Sequence, residues 1–381
     1  MDPDDAPKHD AVPADPLDAW DEERRRCPVA HDGSGAWTVH GHAETLEVLH
    51  DPATYSNRVS RHPSIPNGMD PPEHGPWRRI VDRYFGPAAM TAFEPACRRI
   101  AAESIDAAVA RGGGDALADL GEPFAVRAQC AFMGWPDAMR EVLTDWQDAN
   151  LRATRAGDRA ATAEVAAAFE RHVGAVLDAR RAAGDAAPDD PTTRLLRERI
   201  DGRPLRDHEI VSIVRNWTVG ELGTIAASLG IVVHALASDA ELQARLRAAP
   251  GLIPAAVDEM LRARGPLVAN RRVATRDAEL GGRRIAAGDR LRILWPSANR
   301  DERVFDAPHE LRSDRVPWDN LLYGAGIHVC PGAPLARLEL RVVGEELLAR
   351  TRAVTLDPGA PATFAAPPKG GFERVPFLVE G

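Results

Sequence analysis

Only four of the 381 residues are cysteine: Cys27, Cys97, Cys130 and Cys330. No two stand as a CxxC pair, which leaves too few ligands for a zinc knuckle and no basis for a disulfide framework. Cys97 and Cys130 fall in apolar helical stretches, where a small buried thiol is ordinary. Aromatic residues make up 5% of the chain, so the core is built mostly from Ala, Leu and Val. Positive charge is also short. Lys and Arg number 47 against 57 Asp and Glu, and the net charge of −10 argues against general nucleic-acid binding. No apolar run reads as membrane-spanning, and no apolar leader opens the chain. A cytoplasmic monomer with neither nucleic acid nor membrane as partner is the expectation.

What is present is mostly helical. Hydrophobic residues are 44%, enough for a substantial core. Residues 1–16 are acidic and proline-rich and are predicted to be disordered. Helical pattern begins near Leu17. AWTV (36–39) reads as a strand and HAETLEVLH as a helix. From Pro87 to about Ala183 the pattern is nearly all helical, and 184–193 reads as a loop. A long apolar helix follows from about Asp207 to Leu236, then a helix carrying AAVDEMLRA. After Gly265, RRVAT, GRRIAAGDRLRILW and RVPFLVE read as short strands between glycine turns. The expected fold is mainly α with minor β, in a single domain over 17–381.

Cys330 stands in the stretch LLYGAGIHVCPGAPLARLEL (321–340). Apolar residues recur at helical spacing from Pro334, so Cys330 lies just before or in a first helical turn. Unpaired N–H groups there favour an anion, and a lowered thiol pKa is expected. Gly324, Gly326 and Gly332 remove side chains where the backbone passes close to something flat. A haem iron held from one face suits this turn. Taken alone, it also fits a nucleophilic or a structural cysteine.

The turn resembles the cysteine signature of the cytochrome P450 family, Phe-x-x-Gly-x-His-x-Cys-x-Gly, with Tyr323 at the Phe position. Three more motifs extend the likeness: Glu259-Met-Leu-Arg262, Arg315 ahead of the turn, and His74-Gly-Pro-Trp-Arg78. The resemblance implies the family's helical triangular prism with small β-sheets and a haem b cofactor. Cys330 becomes the axial metal ligand, a thiolate that favours O–O cleavage. His74, Arg78, Arg272 and His328 match positions that hold the haem propionates, with Gly324 and Gly332 in the binding turn. Glu259, Arg262 and Arg315 match a buried structural network. Pro331 brings no N–H to the sulfur and so leaves a more electron-rich thiolate, or it simply starts the helix.

The stretch VRNWTVGELGTIAASLG (214–230) resembles the family's oxygen-binding helix, usually Ala/Gly-Gly-x-Asp/Glu-Thr. Aligned on Thr224, the acid position is Gly223, and Glu221 stands where glycine is usual. Two readings stay open: Glu221 replaces the missing acid and relays protons with Thr224, or Glu221 contacts substrate or a structural partner. Trp217 shares the Glu221 face, and with Leu267, Val268 and Phe372 it is expected in the substrate pocket. The short, proline-punctuated loop after Tyr55 suggests an open pocket or a large substrate, and Arg58, Arg61 and His62 give it positive charge. Electrons are expected from a ferredoxin and its NAD(P)H-dependent reductase, docked by Arg78, Arg79, Arg83, Arg337 and Arg341. The leading expectation is hydroxylation or O/N-demethylation of a small organic or natural-product substrate. The alternatives are oxidative aryl cross-linking of a peptide or carrier-bound substrate, and a haem-binding sensor without turnover.

Overall fold

A computed structural model describes residues 15–31, 35–60, 64–312 and 314–381. The tail expected to be disordered lies outside these residues up to position 14. Asp15 and Pro16 belong instead to the first helix: the Asp15 carboxylate accepts the Leu17 N–H at 3.1 Å and Pro16 opens the first turn.

The fold is mainly helical with small β-sheets. Its helices are α1 (Pro16–Arg26), α2 (His42–His50), α3 (His74–Asp82), α4 (Pro87–Arg111), α5 (Glu122–Met133), α6 (Met139–Ala156) and α7 (Arg159–Ala183), then α8 (Pro191–Arg197), α9 (Asp207–Ser238), α10 (Ala240–Ala248), α11 (Ile253–Arg264), α12 (Trp295–Ala298) and α13 (Ala333–Arg350). Part of the expected loop at 184–193 is helical, because Asp190 caps α8 by accepting the Thr193 N–H at 2.8 Å.

The long α9 runs through the middle of the core. By length and composition alone it could cross a membrane, contrary to the expectation from sequence, but two thirds of its most apolar window, 67%, is buried inside the protein. Its glycines serve different ends. A Cβ on Gly230 would meet Leu117 Cδ1 at 2.7 Å, so that glycine permits close packing. A Cβ on Gly220 or Gly223 would meet nothing within 4 Å.

Five strands form the largest sheet, in the spatial order Val29–His31, Ala36–Val39, Arg290–Leu294, Ala269–Ala274, Tyr55–Ser56. Only the pairing of Arg290–Leu294 with Ala36–Val39 is parallel. The sheet fixes Arg272 opposite Leu291 and starts the loop that leads back to α3. Among its described residues that loop forms turns and no helix. It is not open. The Ile65 N–H donates to Ser212 Oγ at 3.0 Å, Asn216 Nδ2 to the Ile65 carbonyl at 2.9 Å, and Ser64 Oγ to Asn216 Oδ1 at 2.9 Å. Ile65 itself is buried against the core. Of the expected loop cations, Arg58 pairs with Glu73 at 2.7 Å, and Arg61 and His62 lie outside the described residues.

Candidate active site

The cysteine turn is shaped by backbone geometry. Gly324 and Gly326 have φ of +73° and +68°, a region that side chains rarely adopt, and a Cβ on Gly326 would also strike the Leu49 carbonyl at 2.3 Å. These glycines are therefore required by the turn itself. The Cys330 N–H closes it by donating to the Tyr323 carbonyl at 2.8 Å. Cys330 is open to solvent within the turn, but protein surrounds it closely enough for burial to raise its thiol. The backbone N–H groups of Gly332 and Ala333, and Arg78, pull the other way. The expected lowering of the thiol is thus overturned for the protein alone: desolvation outweighs the helix start. Tyr323 lies beneath Arg337, whose guanidinium carbon sits 4.4 Å from the ring centre, and the Tyr323 hydroxyl is buried without a protein partner.

Beside the turn, α3 and the sheet gather cations and imidazoles. His74 and His328 have ring centres 4.4 Å apart. Each keeps a buried Nε2 with no protein partner. Burial lowers both, His328 to about 3, helped there by His74 and Arg272. Burial also lowers Arg272, to about 10, and its one hydrogen bond among those described goes to the neighbouring Arg271 carbonyl at 2.8 Å. Arg78 donates to the Ile327 carbonyl at 3.1 Å, tying α3 to the turn, and to Asp82 at 2.6 Å. A pair of carboxylates placed among these groups would supply the missing acceptors and reverse the shifts.

Phe85 joins the turn to α9. Its Cε1 would lie 3.9 Å from a Cβ on Gly332, and its ring centre is 5.2 Å from that of Trp217. On either side of this bridge α9 exposes Val219 and Gly220, and the turn exposes Val329 and Cys330. A haem fits these features: an accessible sulfur, glycines on α9 that face open space, and buried donors awaiting two carboxylates. Cys330 would hold the iron, with His74, Arg78, Arg272 and His328 around the propionates.

Below the turn, Arg262 donates to both oxygens of Glu259 at 2.7 and 2.8 Å, and Arg315 Nε donates to Glu259 Oε1 at 2.7 Å. The structure therefore brings these three residues together. Arg262 is 1% exposed and also donates to the carbonyls of Asn299 at 2.6 Å and Pro308 at 2.9 Å. Asn299 Oδ1 then accepts the Leu321 N–H at 2.7 Å, which anchors the entry to the cysteine turn.

The oxygen-side helix differs from expectation. The Thr224 hydroxyl donates to the Gly220 carbonyl at 2.6 Å, one turn back on its own helix. Glu221 is turned into the core, where it meets Glu339 of α13. Helical spacing put Glu221 and Thr224 near one face, but burial separates them: Thr224 is half-buried, Glu221 fully so. Glu339 went unremarked in the sequence, although a glutamate inside the apolar run LARLELRVV was a signal for it.

Two expected pocket residues lie in packed surroundings. Trp217 stacks among Tyr84 and Phe85, and Phe372 stacks on His234 with ring centres 4.2 Å apart, under the Arg264 guanidinium. Leu267 remains half-buried, and Val268 is buried with its N–H donated to the Pro368 carbonyl at 3.4 Å. The expected docking arginines are largely engaged. Arg83 pairs with Glu198, Arg337 with Asp258, and Arg341 with Glu94 and Glu345, so they form no free cationic face. Arg79 is exposed.

Comparison with known proteins agrees with this arrangement. Residues 251–370 match the family model described as Cytochrome P450. The chain is 32% identical to Cyclomarin C epoxidase CymV of Salinispora arenicola, over 82% of this chain and 83% of that protein. It is 32% identical to the erythromycin C-12 hydroxylase of Saccharopolyspora erythraea, over 88% of this chain and 86% of that one. Among solved structures, a mutant of P450 EryK in complex with erythromycin B superposes with a TM-score of 0.86 at 30% identity, covering 96% of each chain.

Proposed function

The chain belongs to the cytochrome P450 family and is a P450 monooxygenase, and we propose that it oxygenates a natural product or similar organic substrate, by hydroxylation or demethylation, with haem held by Cys330. The observation that carries this reading is the juxtaposition of an accessible Cys330 with the unpartnered Nε2 atoms of His74 and His328 and the buried Arg272. Haem bound there supplies activation of molecular oxygen and transfer of one oxygen atom to substrate.

The protein's part is to bind, orient and exclude water. Cys330 presents its sulfur, tempered by two N–H groups. With haem bound, His74 and His328 would donate through Nε2, and Arg272 and Arg78 would neutralise its propionates. Gly220 and Gly223 leave open space beside α9. Thr224 Oγ1 holds a proton on that side, parked on the Gly220 carbonyl, and Gly223 brings no acid to it. Leu267 and Val268 approach the substrate from the sheet side. Relatives named for cyclomarin C and erythromycin support a bulky natural product as the substrate class. Electrons come from NAD(P)H through a separate ferredoxin and reductase. Because most candidate docking arginines are already paired, the partner's acids must compete with Asp258, Glu198, Glu94 and Glu345.

The test is spectroscopic. The reduced carbon monoxide complex should show the red-shifted Soret band of thiolate ligation. Cys330→Ser should lose it, and Cys27, Cys97 and Cys130 to Ser should keep it. A retained band in Cys330→Ser overturns the ligand. A spin-state screen of free macrocyclic natural products against short aromatic peptides then reads the substrate class. Binding confined to the peptides overturns the proposal in favour of peptide cross-linking.

A further inference from the structure

Glu221 and Glu339 meet in the core between α9 and α13, 8% and 0% exposed. The two carboxyls lie within hydrogen-bonding reach of each other. Among the described residues no hydrogen-bond donor reaches Glu221 Oε1 or either oxygen of Glu339, all three of them buried. Two ionised carboxylates cannot rest this way in a dry interior, because each repels the other and neither has a counter-ion. One proton removes both difficulties. The protonated carboxyl donates its O–H and the ionised one accepts it, a charge-assisted hydrogen bond.

Among the described residues, the surroundings offer no competing cation. From α4, Cys97 faces the pair, and its thiol is pushed up by burial and by both glutamates. From the cysteine turn, Cys330 feels Glu221, and the Tyr323 phenol is raised by burial and, to a lesser degree, by Glu339. The arginines in reach of this region, Arg98 and Arg341, are held at its outer edge by Glu94, Glu345 and Glu346. Burial accordingly raises both carboxyls of the pair.

We propose, building on the haem-binding reading, that Glu221 and Glu339 share one proton and act as positioning residues. Their O–H···O bond straps α9, the oxygen-side helix, to α13, the helix that follows the Cys330 turn, and so sets the spacing of the two walls of the haem site. No other bond forms or breaks. Loss of the proton to solvent leaves two anions, and the strap opens. Glu221 occupies a position where the P450 pattern has glycine.

The experiment uses the purified holoprotein, Glu221→Gln, Glu339→Gln and the double variant, with far-UV circular dichroism to establish folding. In wild type, infrared spectroscopy should show the C=O stretch of a buried protonated carboxyl, shifting in D2O. Both single variants should lose it, because an amide N–H then bonds the remaining carboxylate without a proton. The thermal midpoint adds an independent reading. An unfolded glutamate releases its proton near pH 4.3, and the folded pair keeps one to higher pH. Stability from the pair is therefore complete at low pH and lost as pH rises through the raised value. Wild type should lose midpoint as pH rises from about 4.3 through about 7, and in Glu339→Gln that slope should fall to roughly half or less. A carboxyl band that survives in both single variants, or equal slopes in wild type and Glu339→Gln, overturns the shared proton. If Glu221→Gln fails to fold, Glu339→Gln decides alone. A missing thiolate Soret band would overturn the haem reading and leave the carboxyl band to be read by itself, so the two failures are distinguishable.

Discussion

Two buried glutamate clusters flank the haem site, and they solve the same problem in opposite ways. Glu259 is 6% exposed and accepts from two arginines and from the Arg312 N–H. Glu221 is nearly as buried, at 8%, and its partner is another glutamate. A carboxylate held by two guanidinium groups and a backbone N–H acts as a fixed joint. A carboxyl facing a carboxylate is stable only with a proton between them, so its strength follows the solution. The first arrangement suits the seat of the cysteine turn, which must not move. The second ties together two helices whose spacing can answer to pH.

The contrast breaks most sharply at Glu259. Glu259→Ala strands Arg262 and Arg315 without their anion, at a cost of about 3–5 kcal/mol. Little soluble, haem-loaded protein is expected. A normal haem content and thermal midpoint would show that the network is not structural. Arg315→Ala is expected to be milder, about 1.5–3 kcal/mol, because Arg262 still holds both Glu259 oxygens. Its signature is a lowered midpoint with haem content largely retained.

Removing the acid pair should run the other way. At pH 8, the double change Glu221→Met with Glu339→Met exchanges both buried acids for apolar side chains of similar length. Stability should change by no more than about 1 kcal/mol in either direction, and rise relative to wild type as the pH is raised further. A loss as large as that of Glu259→Ala would erase the distinction between the two clusters. A separate effect is expected at the acid end. Burial lowers His40 and His234 to about 4, and His328 to about 3. Groups depressed below their unfolded value contribute stability that is present above about pH 6.5 and lost as pH falls. The haem-free protein should weaken by about 1.4 kcal/mol per imidazole per pH unit below that point, measured by urea titration at pH 7, 6 and 5. Haem should blunt the His328 share by giving its Nε2 an acceptor.

How much of this was legible in the sequence depended on distance along the chain. The cysteine turn, His74-x-x-x-Arg78 and Glu259-x-x-Arg262 each fit within a few residues, where periodicity and backbone rules act directly. The long α9 was legible from its apolar run. What local pattern misjudged was direction. Helical spacing grouped Trp217, Glu221 and Thr224, but which flank of α9 meets the core depends on α4, α13 and Phe85, which come from elsewhere in the chain. The thiol of Cys330 shows the same limit: the helix start was visible, and the surrounding bulk that outweighs it was not. Phe372 read as a pocket residue from the family resemblance of its tail turn, and its stack on His234 was not visible in the sequence.

The loop between Tyr55 and His74 has one more consequence. Ser64 and Ile65 are fastened to Ser212 and Asn216, two residues on successive turns of α9, just upstream of Gly220 and Thr224. All three bonds end on α9, so a displacement of Ser64 and Ile65 would break them, expose Ile65 and be felt by the helix that carries Thr224.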